Sequence, residues 1–193
     1  MDLKELVKER FQDSINVKER NINDEELIAS VINVANEITK SIKNGHKIVL
    51  CGNGGSASDA LHFAGEIVGR FQKERAAWPA VVLNADVATM TAIANDYSYN
   101  DVFARQAEGH VQLGDVFIGI STSGNSENVI RATAVAKEKG AVTVSFLGKD
   151  GGKLKEMTDY PIVVRCNTTA RVQESHICII HIICELVEAA LAE

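Results

Sequence analysis

Val116-Phe117-Ile118-Gly119-Ile120-Ser121-Thr122-Ser123-Gly124-Asn125-Ser126 is the stretch on which the reading of the whole chain turns. An apolar run with no polar alternation passes directly into a loop of four hydroxyls and a glycine, and helical periodicity follows over about 126–139. A strand apolar at every position is buried on both faces, which is the signature of a parallel sheet covered by helices.

The same unit occurs upstream, where Lys47-Ile48-Val49-Leu50-Cys51 leads into Gly52-Asn53-Gly54-Gly55-Ser56. Further β-branched runs lie at 80–83, 142–146 and 160–164, with helical patterns at about 56–72, 86–108, 151–158 and 171–191. This alternation predicts an α/β three-layer sandwich: five parallel strands joined by right-handed crossovers and flanked by helices. Pro161 places the last strand at an edge, because proline donates nothing to a ladder. Both loops fall at the carboxyl ends of strands, where ligands bind in open α/β sheets.

Two helices precede the sheet. Leu3, Leu6, Val7, Phe11 and Ile15 recur at helical spacing, and Asn21-Ile22-Asn23-Asp24 makes a turn. A second helix over about 25–43 aligns Leu27, Val31, Val34, Ala35 and Ile38, and Asn44-Gly45 ends it. No linker or low-complexity segment interrupts the chain, so 1–193 is expected to form one domain, with N-terminal helices at 1–45 and an α/β core at 46–193. The N-terminal helices carry apolar stripes but cannot enclose a core alone. They are expected to pack against other subunits in a tetramer.

A chain of 193 residues, 46% hydrophobic and 24% charged, is long enough for a real core. Aromatic residues at 5% argue against a stacking platform for single strands, and a net charge of −6 without a basic run argues against nucleic acid or an anionic membrane as partner. One phosphorylated small molecule needs only one loop and stays compatible with that charge. The N-terminus is charged from the start, and no apolar run approaches a membrane span. Cys51, Cys166, Cys178 and Cys184 form no C-x-x-C pair and read as reduced thiols, so a cytoplasmic location is expected.

Ser121, Thr122, Ser123 and Ser126 stand at a helix start, where free N–H groups and a partial positive charge suit a phosphate. The alternative is a plain N-cap, for which one hydroxyl suffices. The glycines of the upstream loop let backbone approach a ligand, or simply make a tight turn. They match neither a dinucleotide fingerprint nor a Walker A loop. His62 and Glu66, four residues apart, share a helix face and can ligate one metal or pair a base with an imidazole; an exposed surface pair is the alternative. On the final helix Gln173, Glu174, His176, His181 and Glu185 gather. His181 lies in Ile179-Ile180-His181-Ile182-Ile183, a run expected to be buried, where it is either a partnered functional group or a core histidine.

Four segments together, LCGNGGSASDALHFAGEIVGRF (50–71), AIANDYSYNDVFARQ (92–106), GISTSGNSENVIRA (119–132) and RVQESHICIIHIICELVE (171–188), resemble the phosphoheptose isomerases of the sugar isomerase (SIS) superfamily. The resemblance implies the SIS fold and the interconversion of sedoheptulose 7-phosphate and D-glycero-D-manno-heptose 7-phosphate, a first step toward activated heptoses. It implies one zinc per subunit held by His62, Glu66, Gln173 and His181, with Glu66 and His181 as acid and base. It implies a sugar-phosphate site lined by Asn53, Gly54, Gly55, Glu66, Asn95, Asp96, Ser121, Thr122, Ser123, Ser126 and Gln173, in a homotetramer with sites at subunit interfaces. Ala170 stands where some relatives carry an aspartate. Gln173 and His181 are separated by about 12 Å of helix rise, so one metal reaches both only if they lean together, if the helix start is irregular, or if they belong to different subunits. Two other readings are a non-catalytic relative, such as a replication initiator-associating protein, and a sugar-phosphate sensing module. A scaffold has no need of His62, Glu66, Gln173 and His181 together.

Overall fold

The computed structural model describes residues 2–192, so Met1 and Glu193, the outer limits of the expected domain, lie outside the described residues. Five strands form one sheet: β1 (Ile48–Gly52), β2 (Ala80–Val82), β3 (Val116–Ser121), β4 (Val142–Gly148) and β5 (Tyr160–Val164). All neighbours are parallel and the order is β2-β1-β3-β4-β5. β5 lies at an edge, as Pro161 requires. The chain reverses its direction of travel across the sheet between β1 and β3, and the Gly and Ser loops follow these two strands. This topological switch point opens a crevice at the carboxyl ends.

The helices are α1 (Leu3–Ile22), α2 (Glu25–Lys43), α3 (Gly55–Val68), α4 (Val87–Asp96), α5 (Ala104–His110), α6 (Glu127–Glu138), α7 (Gly152–Met157) and α8 (Thr169–Leu191). Residues of the sheet alternate between two cores. Ile48, Leu50, Ile118, Ile120, Phe146 and Ile162 pack with α2, α3 and α8, while Val49, Cys51, Phe117 and Leu147 pack with α4 to α7 on the other face. The result is the expected three-layer sandwich.

Three expectations need correction. The helix read over 86–108 is split into α4, a 3-10 turn at Tyr99–Asp101 and α5. Ser98 breaks it, because its hydroxyl accepts from the Asn100 N–H and donates to Asp101, which competes with helical bonding. The helix expected to reach about 72 stops at Val68, with Gly69 after it. Finally, α2 is not a free stripe awaiting a partner: Leu27, Val31, Val34, Ala35 and Ile38 are buried in the chain's own core. The stripe of α1 is open, with Leu3 and Phe11 about 70% exposed and Val17 as its one buried residue among those described, and α2 leaves Ile28 and Ile32 exposed on another face.

Candidate active site

Both loops lead into helix N-termini that lack side-chain caps. Ser126 occupies the N-cap position of α6, but its hydroxyl lies 2.8 Å from Ser121 Oγ, and Ser121 Oγ is 3.4 Å from Ser123 Oγ. An ordinary N-cap would turn its oxygen to the helix amides. Here the Val129 N–H is taken by Asn128 Oδ1 at 3.0 Å, while three hydroxyls converge in front of the start of the helix, which is an arrangement suited to a phosphate. Thr122 belongs to the same turn and is half-buried.

Across the crevice, Gly54 caps α3 with φ +56°, in the left-handed region where glycine is unstrained. Gly55 is glycine for another reason: a Cβ there would collide with the Gln173 amide. That contact puts Gln173, near the start of α8, beside the Gly52–Ser56 loop. Asn53 and Asn128 exchange reciprocal amide bonds of 2.9 and 3.0 Å across the switch point, and Tyr99 Oη donates to Asn53 Oδ1 at 2.9 Å. Asn128 and Tyr99 escaped sequence reasoning. Asn128 bonds a partner 75 residues away, which leaves no local pattern, and nothing in the pattern of turn residues singles out Tyr99. Asn95 and Asp96 sit exposed at the end of α4, where Asn95 Nδ2 donates to Asp96 Oδ1 at 2.9 Å.

Further along α3 and α8, His62 Nε2 is 3.1 Å from Glu66 Oε1 and 3.0 Å from His181 Nε2. One ligand atom from each of the three lies within 4.8 Å of the others. Two imidazoles and a carboxylate with room for a further ligand match a catalytic zinc set, so the donors fit the expected metal. Gly55 faces Gln173 and His62 faces His181, so the two helices run parallel, and Gln173 lies about two turns from the cluster within one chain. Three of the four expected ligands therefore come together, and the fourth stands against Gly55. His62 is 45% exposed and Glu66 25%, which leaves the cluster open to a ligand. Phe71 stacks on His181, with ring centroids 5.7 Å apart and planes 28° apart.

His181 itself is not a core residue. Ile179, Ile180 and Ile183 are buried, but Ile182 is 44% exposed and His181 half-buried, because helical periodicity turns two of five apolar-run positions outward. The core histidine is His176. Its Nε2–H donates to the Leu147 carbonyl at 3.0 Å, its Nδ1 is buried without a partner, and burial pushes its pKa down to about 4 despite that bond. Asp59, one turn before His62, was also missed. Its Oδ2 is buried without a partner, and burial pushes its carboxyl up to about 6 against the lowering effect of His62. All four cysteines are free.

Residues 10–148 match the SIS domain family. A phosphoheptose isomerase of Aneurinibacillus thermoaerophilus is 49% identical over 98% of this chain and 96% of its own length. The solved structure of a phosphoheptose isomerase from Neisseria gonorrhoeae superposes with a TM-score of 0.91 at 39% identity, covering 97% of this chain and 99% of that one. One from Francisella tularensis gives 0.94 at 31% identity, covering 98% and 100%. The fold, the crevice and this similarity over nearly the whole length lead to one statement: the chain belongs to the phosphoheptose isomerase family of SIS-domain enzymes.

Proposed function

We propose that this isomerase interconverts sedoheptulose 7-phosphate and D-glycero-D-manno-heptose 7-phosphate through a cis-enediol, in the cytoplasm, with residues 1–193 acting as one SIS domain. The observation that carries the reading is the His62–Glu66–His181 cluster, on the two helices that also flank the sugar loop. An aldose–ketose isomerisation moves a proton between C1 and C2. The Glu66 carboxylate takes the C2 proton of the aldose and returns it to C1, while His181 carries a proton between the two oxygens. Ser121, Thr122, Ser123, Ser126 and the α6 amides hold the phosphate. Asn53, Gly54, Gly55, Asn95, Asp96 and Gln173 line the sugar. A zinc ion held by His62, Glu66 and His181, with Gln173 if a second subunit brings it near, would polarise the carbonyl as a Lewis acid.

The exposed stripe of α1 and an apolar groove of about 450 Å³ between α1, α2 and α8, lined by Ile28, Ile32, Ile182 and Leu186, support a homotetramer. Among the described residues no helix is long and apolar enough to cross a membrane. The deciding experiment is aldose formation from sedoheptulose 7-phosphate, with and without chelator, alongside mass by light scattering at micromolar concentration. Absence of turnover in the metal-loaded protein removes the proposed activity. Loss on chelation, restored by zinc, supports the metal, and a monomeric mass removes the tetramer.

A further inference from the structure

Between α3 and β2 the chain runs through eleven residues, Gly69 to Pro79, without regular structure. One buried pair organises it. Glu188, on α8 two turns after His181, accepts at Oε1 from the Phe71 N–H (3.1 Å) and at Oε2 from the N–H groups of Gln72 (2.7 Å) and Lys73 (2.8 Å). Its Oε1 also receives Arg75 Nε at 3.1 Å, and the two side chains are 5% and 3% exposed. The rest of the guanidinium bonds backbone at the end of α3 and in the segment itself: Nη2 donates to the Glu66 carbonyl at 2.7 Å, and Nη1 to the carbonyls of Ile67 and Ala76, each at 3.0 Å, and of Gly69 at 3.4 Å. Trp78 covers it, with the guanidinium carbon 3.5 Å from the ring centroid.

These contacts converge on the acid–base pair from both sides. The last carbonyls of a helix have no partner inside it, and Arg75 supplies partners to Glu66 itself and to Ile67. The backbone that carries the proposed base is thereby fixed. Glu188 meanwhile fixes the Phe71 amide, and the Phe71 ring is the surface stacked on His181. A buried ion pair is weak evidence for stability as such, because desolvation cancels much of the attraction. This one gathers seven backbone groups and touches nothing that reacts. We infer that the Arg75–Glu188 pair is a positioning clamp that holds Glu66 and His181 in register for proton transfer. This rests on the isomerase reading above.

The test uses the full-length chain with Glu188→Gln and, separately, Phe71→Leu. Three quantities are read: kcat and KM for sedoheptulose 7-phosphate, emission of the single tryptophan Trp78 as a report on the clamp, and the ring-proton NMR shifts of His181, assigned through His181→Gln. Glu188→Gln is expected to lower kcat about tenfold with KM within about twofold, the pattern of a misplaced catalytic group rather than a lost binding contact. Phe71→Leu is expected to lower kcat about threefold with Trp78 emission unchanged. Both should remove the upfield ring-current shift of His181. A folded Glu188→Gln with altered Trp78 emission and kcat within twofold of the parent overturns the clamp. Should Glu188→Gln not fold, Phe71→Leu decides alone: loss of the stacking shift without loss of kcat overturns it. Should the unmodified chain show no turnover, the isomerase reading fails instead, and unchanged His181 shifts in Glu188→Gln would overturn the clamp independently.

Discussion

Helix α8 carries two histidines five residues apart, and the chain uses them in opposite ways. His176 is fully buried, neutral and tied to the Leu147 carbonyl, with the Phe146 ring edge-on at 5.6 Å. His181 is half-buried, faces His62 and Glu66, and is reached from solvent through the open side of that cluster. The apolar run around His181 suggested burial, yet His176, with Glu174 and Ser175 before it, is the one in the core. What decides is the helix face, set by 3.6 residues per turn, and not the hydropathy of the nearest neighbours. The histidine open to a ligand is the one packed against His62 and Glu66 of α3, whereas the other fastens α8 to the sheet.

The strongest way to break this comparison is to remove the reacting groups. Glu66→Gln and His181→Gln should each lower kcat at least about a hundredfold, the lower end for general acid–base catalysis, in protein that stays folded. Exchange of solvent deuterium into substrate should fall in parallel. His176→Gln, which keeps a donor for the Leu147 carbonyl, should leave kcat nearly unchanged. If His176→Gln loses as much turnover as His181→Gln, the division of labour along α8 is wrong.

Much of the fold was legible because the strands carry no polar alternation and the turns carry glycine and serine where strand meets helix. Pro161 even gave the edge. What failed had local causes. Ser98 spends its hydroxyl on backbone and breaks a stretch whose apolar periodicity continued through it. In the zone from Gly69 to Pro79 the helical pattern runs on to about 72 and then stops, and neither part shows that Arg75 and Glu188 organise it, because Glu188 lies more than a hundred residues away. Of the expected site, Ser121, Ser123 and Ser126 converge, and His62, Glu66 and His181 meet. Asn128 and Asp59 went unseen because their roles arise from burial and from a partner 75 residues away in one case, neither of which leaves a local pattern.

The next effect is on stability in acid. The folded pKa of His176 lies at about 4, below the ordinary 6.5, so the unfolded chain binds the extra proton between those values. Stability from this group is intact above pH 6.5 and is lost as pH falls toward 4, by about 3 kcal/mol in all. Urea unfolding of the parent and of His176→Gln at pH 7 and pH 4.5 isolates that slope, since other groups cancel in the difference. Equal losses for both proteins would show that His176 is not the buried neutral imidazole described here.

A smaller change is expected at the phosphate loop. Ser121→Ala with Ser123→Ala should raise KM for the phosphosugar about tenfold, the worth of a charge-assisted hydrogen bond, while the midpoint of unfolding barely moves. A KM that does not change would take this loop out of the site. A large fall in stability with unchanged KM would return the hydroxyls to the role of an ordinary turn.

The smallest effect sharpens the contrast by reversing its sign. Asp59 sits beside the reactive cluster with a folded pKa of about 6, above its ordinary 3.8. The folded state therefore binds the extra proton between those values, and the charged carboxylate costs stability above pH 6, a cost that vanishes as pH falls below 3.8. Acid relieves Asp59 where it penalises His176. Asp59→Asn removes the charge, so in chelator-treated protein it should gain about 1–2 kcal/mol at pH 7, after discounting partial solvent screening, and almost nothing at pH 4. A divalent cation in the neighbouring cluster favours the charged carboxylate, so zinc should shrink the gain at pH 7. Unfolding curves of the two proteins, with and without zinc at both pH values, check this. A gain equal at both pH values would mean that Asp59→Asn acts through packing and not through charge. No gain at all would mean that water reaches the carboxylate, and that the side of α3 carrying Asp59 and His62 is wetter than the structure makes it.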